Sequence, residues 1–208
     1  PPATRASRCD MLASMRIKAA VLREIGRPPP YEQSQPLTLE EVELDPPGPG
    51  EVLVRIRAAG LCHSDLSVID GNRPRPLPMV LGHEAAGVVE QVGEGVTSLA
   101  RGDHVVAAFV PSCGHCGPCA ASRPALCEPG FASNSAGTLL SGSRRLHGAQ
   151  GDMHHHLGVS GFADHAVLAA NSLVRVPGDL PFAEAALFGC AVITGVGAVV
   201  NTARMPHG

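Results

Sequence analysis

Two hundred and eight residues carry 16 Lys and Arg against 19 Asp and Glu, a formal charge of -3 at pH 7, so nothing in the charge balance calls for a nucleic-acid partner. With 44% hydrophobic and 17% charged residues, 24 Gly and 19 Pro, the sequence is globular and turn-rich, not disordered. Its longest apolar run, AALFGCAVITGVGAVV at 185–200, falls short of the roughly 20 residues of a bilayer span and is interrupted by glycine, so a buried helix is expected and no membrane.

The first fourteen residues, PPATRASRCDMLAS, have no apolar period and read as an unstructured extension; their Arg- and Ser-bearing, acid-poor composition is also that of a transit peptide. The fold is expected to begin at Met15, and Cys9 receives no role. IKAAVL (17–22), LTLEEVEL (37–44) and EVLVRIRAAG (51–60) alternate or run apolar as strands do, with the turn-dense DPPGPG before the third. CHSDLSVIDG (62–71) predicts a short helix closed by Gly71. HEAAGVVEQVGEGV (83–96) and GDHVVAAFV (102–110) are further strand regions, and the glycines of VGEGV form a turn between them, not a phosphate cradle. Residues 133–158 read as a long, polar, Gly- and Ser-rich loop in which His154, His155 and His156 are solvated; His104 and His115 are likewise expected to be exposed. FADHAVLAANSLVRVP (162–177) predicts two strands, and the segment from Pro181 a helix with proline near its first turn. Many short strands and one closing helix suggest a β-barrel-like domain.

Cys113, Cys116, Cys119 and Cys127 lie within fifteen positions in a chain of seven cysteines. Their C-x2-C-x2-C-x7-C spacing puts four soft thiolates on one compact loop, as a closed tetrahedral zinc site requires. A ferredoxin run also opens C-x2-C-x2-C, but there the fourth cysteine follows after three residues and precedes proline; here Cys127 follows after seven and precedes Glu128. Structural zinc is the favoured reading, with an iron–sulfur cluster and free or oxidised thiols as alternatives. A site closed by four thiolates has no open coordination position and does no chemistry. The odd, clustered cysteines argue against a secreted disulfide framework and for a reducing, cytoplasmic setting.

Cys62 and Cys190 remain, with His83 and Glu84 between them in LGHEAAG. Two cysteines and a histidine far apart in sequence leave a fourth zinc position open, the catalytic set of alcohol dehydrogenase. From about Met15 onward, GLCHSD, GHEAAGVVEQVGEGV, GDHVV, the cysteine loop and FGCAVITGVGAVVNTA together resemble the N-terminal part of zinc-dependent medium-chain alcohol dehydrogenases. The resemblance implies a mainly β fold with helices: a GroES-like β-barrel catalytic domain over 15–190 with a structural-zinc lobe near 110–130. Residues 191–208 would then form a helix leading to a Rossmann domain that the sequence does not include. It implies Cys62, His83 and Cys190 as catalytic zinc ligands and the four-cysteine lobe as a second zinc site, two zincs per chain. Asp65 matches the carboxylate that orients His83, Glu84 the acidic neighbour behind the metal, and Ser64 the hydroxyl that takes the substrate proton. His63 matches a basic residue near the cofactor pyrophosphate and Thr194 a contact to the nicotinamide end. Ser67 departs from the pattern, since well-characterised members continue the proton relay there with a histidine.

The implied activity is hydride transfer between an alcohol and its aldehyde or ketone and NAD or NADP, in a full-length homodimer or homotetramer. No Gly-rich strand-to-helix turn for a nicotinamide cofactor occurs in the sequence, so this stretch by itself is expected to be inactive. The competing readings are a non-catalytic zinc-binding GroES-like module and, on the four-cysteine loop alone, a zinc-finger nucleic-acid binder.

Overall fold

The computed structural model describes residues 13–205; most of the expected N-terminal extension, with Cys9, lies outside that range. Regular structure starts with β1 (Met15–Leu22), which buries alternate residues Ile17, Ala19 and Val21. It runs antiparallel along its full length with β2 (Leu37–Leu44), after the single-turn α1 (Tyr31–Ser34). The DPPGPG turn then feeds β3 (Glu51–Gly60), and α2 (His63–Ile69) follows directly. Next come β4 (Met79–Val80), β5 (Glu84–Val92) and β6 (His104–Ala107). The cysteine lobe holds α3 (Gly117–Ala120), a 3-10 turn at Pro124–Leu126 and α4 (Glu128–Ala136). Four short strands complete the β structure: β7 (Leu146–Gly148), β8 (Gly151–His155), β9 (His165–Ala169) and β10 (Leu173–Arg175).

The strands form two units. β1, β2, β7, β8 and β4 close into a barrel, and β10, β6, β5, β3 and β9 form a five-stranded sheet in that order. Strand alternation joins them: Leu53 and Val167 pack with Ile17, Val42, Leu44, Leu146 and Met153 in the barrel core. Their neighbours Val52, Val54 and Leu168 face the opposite way, into a second core with Val89 and Val105. The predicted mainly β, barrel-containing fold is therefore present.

Three expectations are corrected. Residues 133–158 are not one polar loop, because β7 and β8 lie inside it and close the barrel through β2 and β4. His155 and His156 are accordingly 1% and 2% exposed, and His154 is half-buried with its Nδ1 3.2 Å from the carbonyl oxygen of Ala136. His155 serves structure: its Nε2 accepts the Arg145 N–H at 3.1 Å, and full burial pushes its imidazole down to about 3. His104 is also half-buried, its ring 4.7 Å from that of Phe182.

The third correction concerns the last helix. It begins as α5 (Phe182–Leu187), passes through a π-helical turn at Phe188–Val192, continues as α6 (Ile193–Gly197) and ends in a second π turn at Ala198–Thr202. Only its start is buried: Ala185 and Ala186 pack against Ala86 and Val106 of the sheet. Ile193, Val196, Val199 and Val200 face outward, because no other described element covers them. By length and composition alone the 21-residue helix Phe182–Thr202, with an 18-residue stretch of mean hydropathy 1.9, could cross a membrane, contrary to the count made on the apolar run. Here the first turns instead pack on the sheet and carry Cys190 inward.

Candidate metal centres

The local sequence builds the first centre from three parts of the fold. Cys62 is the N-cap of α2 and Asp65 its third residue: the Asp65 N–H bonds the Cys62 carbonyl at 3.0 Å, and the Asp65 carboxylate accepts the Cys62 N–H at 3.3 Å. This reciprocal cap satisfies two otherwise orphaned donors and fixes Cys62 where β3 ends. β5 opens with His83 and Glu84 at its mouth, Glu84 paired in register with Gly60. Gly82 makes the approach possible: its φ is +91°, and a Cβ there would stand 2.5 Å from the Phe162 ring and 2.6 Å from the Phe162 nitrogen. Cys190 arrives on the π turn of the last helix. Gly189 beside it presses so closely on the Ala107 carbonyl of β6 that any Cβ would collide. Local π geometry of this kind is common where a helix must aim a functional side chain.

These elements bring one ligand atom each from Cys62, His83, Glu84 and Cys190 within 4.8 Å of one another. His83, Glu84 and Cys190 are buried and Cys62 is half-buried. Asp65, 2% exposed, receives the His83 Nδ1–H on Oδ1 at 3.1 Å and the Gly82 N–H on the same oxygen at 3.2 Å. The Nδ1 hydrogen bond leaves Nε2 of His83 as the acceptor nitrogen, free to face a metal.

The electrostatics suit a dication. Burial pushes the Cys190 thiol up to about 12, helped by Cys62 and Glu84. Burial also opposes ionisation of Cys62, but the amide and hydroxyl of Ser64, together with His83, outweigh it and lower that thiol. Two thiols and a carboxyl crowd one buried space, where a bound metal would balance their anionic forms and deprotonate the coordinating thiols outright. Burial would raise Asp65, yet His156 and His83 hold its carboxyl well below the usual range. Burial depresses His83, and Asp65 and Cys62 more than offset it, so the imidazole is raised.

The second centre is the lobe. Ligand atoms of Cys113, Cys116, Cys119 and Cys127 all lie within 4.8 Å of one another, with Sγ of Cys116 and Cys127 3.9 Å apart. Tetrahedral zinc with Zn–S near 2.3 Å places sulfurs about 3.8 Å apart, so the spacing fits. Backbone amides point at the sulfurs: Cys113 and Gly130 N–H at Cys127, 3.2 and 3.3 Å, and Cys116 N–H at Cys113, 3.3 Å. The amide of His115 leads the causes that bring Cys113 down to about 6, while desolvation and the neighbouring thiols push Cys119 up to about 12. The His115 ring itself is exposed, with Nδ1 2.9 Å from the Cys113 carbonyl oxygen. Thus all seven predicted cysteine and histidine ligands cluster as two groups, with Glu84 in the first and Asp65 behind it.

The remaining predicted residues are less enclosed. Ser64 is half-buried, its hydroxyl beside the Cys62 sulfur. His63 is exposed on the first turn of α2, and Thr194 is exposed one helical turn after Cys190. Ser67 spends its hydroxyl on the His63 carbonyl at 3.0 Å. One residue of the site was expected to be solvated: His156, whose Nδ1 lies 3.1 Å from Oδ1 of Asp65. The alternation of buried Met153 and His155 in DMHHHLG could have marked a strand there.

Comparisons with known proteins identify the family. The alcohol dehydrogenase GroES-like domain matches residues 48–178. A Mycobacterium tuberculosis relative provisionally called alcohol dehydrogenase D is 44% identical over 194 residues, 93% of this chain and 50% of its own length. The class-3 alcohol dehydrogenase of Drosophila melanogaster is 40% identical, over 86% of this chain and 47% of its own length. Among solved structures, an alcohol dehydrogenase zinc-binding domain protein from Burkholderia ambifaria superposes with a TM-score of 0.84 at 40% identity, covering 94% of this chain and 51% of that one. The chain thus spans about half the length of the relatives it matches. It belongs to the alcohol dehydrogenase family, as that family's GroES-like domain.

Proposed function

We propose that this chain is the metal-holding half of a zinc-dependent alcohol dehydrogenase, the longer protein exchanging a hydride between an alcohol and its aldehyde or ketone and a nicotinamide cofactor. The observation that carries the reading is the convergence of Cys62, His83 and Cys190 from three elements onto one buried point. Their number leaves a coordination position open, as catalytic zinc sites require. Zinc held there would supply Lewis acidity, lowering the pKa of a substrate hydroxyl.

The chain's own groups set up that chemistry. Two thiolates and a neutral imidazole bring the donor set near charge balance with a dication. Asp65 fixes the tautomer and direction of His83 through Nδ1. Glu84 stands behind the ligands, walled against Gly60 of β3. Ser64, at the half-buried edge, receives the substrate proton. Because Ser67 is committed to the His63 carbonyl, the path onward from Ser64 runs through water or a cofactor hydroxyl. His63 and Thr194 flank the same opening as contacts for the cofactor, NAD or NADP. The Cys113–Cys127 lobe holds a second zinc that only stabilises its loop.

The outward apolar face of the last helix supports placing residues 15–190 in the catalytic domain, with the helix beyond residue 190, which ends at Thr202, leading to a nucleotide-binding domain. We place the full-length protein in the cytoplasm as a homodimer or homotetramer, a setting that keeps these six thiols reduced. The test is metal analysis of Cys62→Ala in this chain: one zinc should be lost and the lobe zinc kept. Unchanged zinc content would contradict the ligand set.

A further inference from the structure

Three imidazole and carboxylate groups meet behind the first centre. Oδ1 of Asp65 lies 3.1 Å from Nδ1 of His83 and also 3.1 Å from Nδ1 of His156. The two rings stand edge to face, centroids 5.5 Å apart and planes at 82°. His156 is 2% exposed, and its Nδ1 is off the axis of a well-aligned hydrogen bond to Asp65 and has no other partner among the described residues. A lone pair on Nδ1 so close to a carboxylate oxygen would be repulsive, which favours the tautomer with its proton on Nδ1, a second imidazole N–H beside the same oxygen.

The ring has little freedom to leave. The His156 N–H bonds Ser160 Oγ at 3.0 Å, and its carbonyl accepts the amides of Val159 and Ser160 at 3.0 and 3.2 Å. This tight turn, with Leu157 and Ser160 at φ +52° and +54°, holds the residue at the end of β8. The barrel thereby delivers a side chain to the centre that β3, β5 and the last helix otherwise build.

We propose that His156 is a positioning residue for the metal ligand His83, acting through Asp65. Its Nδ1–H holds Oδ1 in place, so that Asp65 in turn holds the His83 tautomer whose Nε2 faces the metal. The proposal rests on the zinc-site reading above, and its test separates the two.

The experiment compares wild-type chain, His156→Phe and His156→Asn, loaded with cobalt(II) as a spectroscopic substitute for zinc. Phenylalanine keeps the ring volume and removes the N–H; asparagine returns an amide N–H near the Nδ1 position. Loss of an outer partner of a metal ligand typically costs 10–100-fold in affinity, and His156 acts one step further out. In His156→Phe the first centre should release metal to a chelator about 10-fold faster and its cobalt bands should shift. His156→Asn should recover most of the difference, and the four-cysteine lobe should be unchanged in both. A general loss of packing would instead affect both sites and would not be rescued by asparagine.

If the wild-type chain binds cobalt only in the lobe, the zinc-site reading fails and this proposal with it. If it binds two metals and His156→Phe releases both like wild type, only this proposal fails. A third metal lost on mutating His156 would also overturn it, making the residue a ligand. Should His156→Phe not fold, nitrogen-15 shifts of the imidazoles in the metal-loaded wild type decide. Protonation of His156 at Nδ1 is required, and protonation at Nε2 alone refutes the proposal.

Discussion

Removing Glu51 should loosen the attachment of the segment after the zinc lobe to the sheet. Glu51 opens β3 and is 2% exposed. Its carboxylate accepts Arg145 Nε at 2.8 Å, Ser141 Oγ at 2.7 Å and the Gly48 N–H at 2.8 Å. Three donors therefore lose their acceptor in Glu51→Ala, one of them a guanidinium. Breaking a fully buried ion pair from one side costs about 3–5 kcal/mol, but the Arg145 side chain is 21% exposed and water can reach part of it. The low end, about 3 kcal/mol, is expected for Glu51→Ala. Glu51→Gln keeps an acceptor oxygen and should lose about half as much. For a domain of this size, 3 kcal/mol corresponds to a fall in Tm of roughly 6–12 °C. Calorimetry or denaturant unfolding of the metal-loaded chain measures it, and the double mutant with Arg145→Ala should show a coupling of about 1–3 kcal/mol. A loss below about 1 kcal/mol with no coupling would show that the pair is solvated and refute the reasoning.

Acid should weaken the fold through His155. Its folded imidazole is depressed to about 3 by burial against about 6.5 unfolded. The neutral ring's contribution is therefore complete above about pH 6.5 and is lost as pH falls from there toward 3. The urea midpoint should drop between pH 7 and 5, and more shallowly in His155→Gln, which keeps an acceptor for the Arg145 amide; equal slopes would refute this. Gly82→Ala should distort the centre from a position with no side chain to ligate metal: the added Cβ meets the Phe162 ring and nitrogen at φ +91°, and His83 is the next residue. Zinc should be weakened at the first centre and kept in the lobe, as metal titration would show; wild-type affinity at both would contradict the packing argument.

Much of the architecture is readable in the chain because the relevant strands are long and alternate. MRIKAAVL, LTLEEVEL and EVLVRIRAAG each alternate or run apolar over much of their length, and each is a strand. The two ligand groups are readable because thiolates and imidazole in those spacings have few other uses. β7 and β8 are not readable: they have three and five residues, rich in Gly and His, and their burial comes from closing the barrel, a nonlocal fact. His156 was lost with them, since a histidine in a polar run looks solvated until its neighbours are known. The last helix failed in the opposite sense. Its apolar composition reads as burial, but composition does not say that no described element packs on Ile193, Val196 and Val200.

The most direct test is the zinc content of this chain, purified in its reduced form, before and after mild chelation. The account predicts two zincs per chain, one removed readily from Cys62, His83 and Cys190 and one resistant in the four-cysteine lobe, with Cys62→Ala containing only the resistant ion. One zinc in both proteins, equally resistant, would contradict the first centre, and none would contradict both.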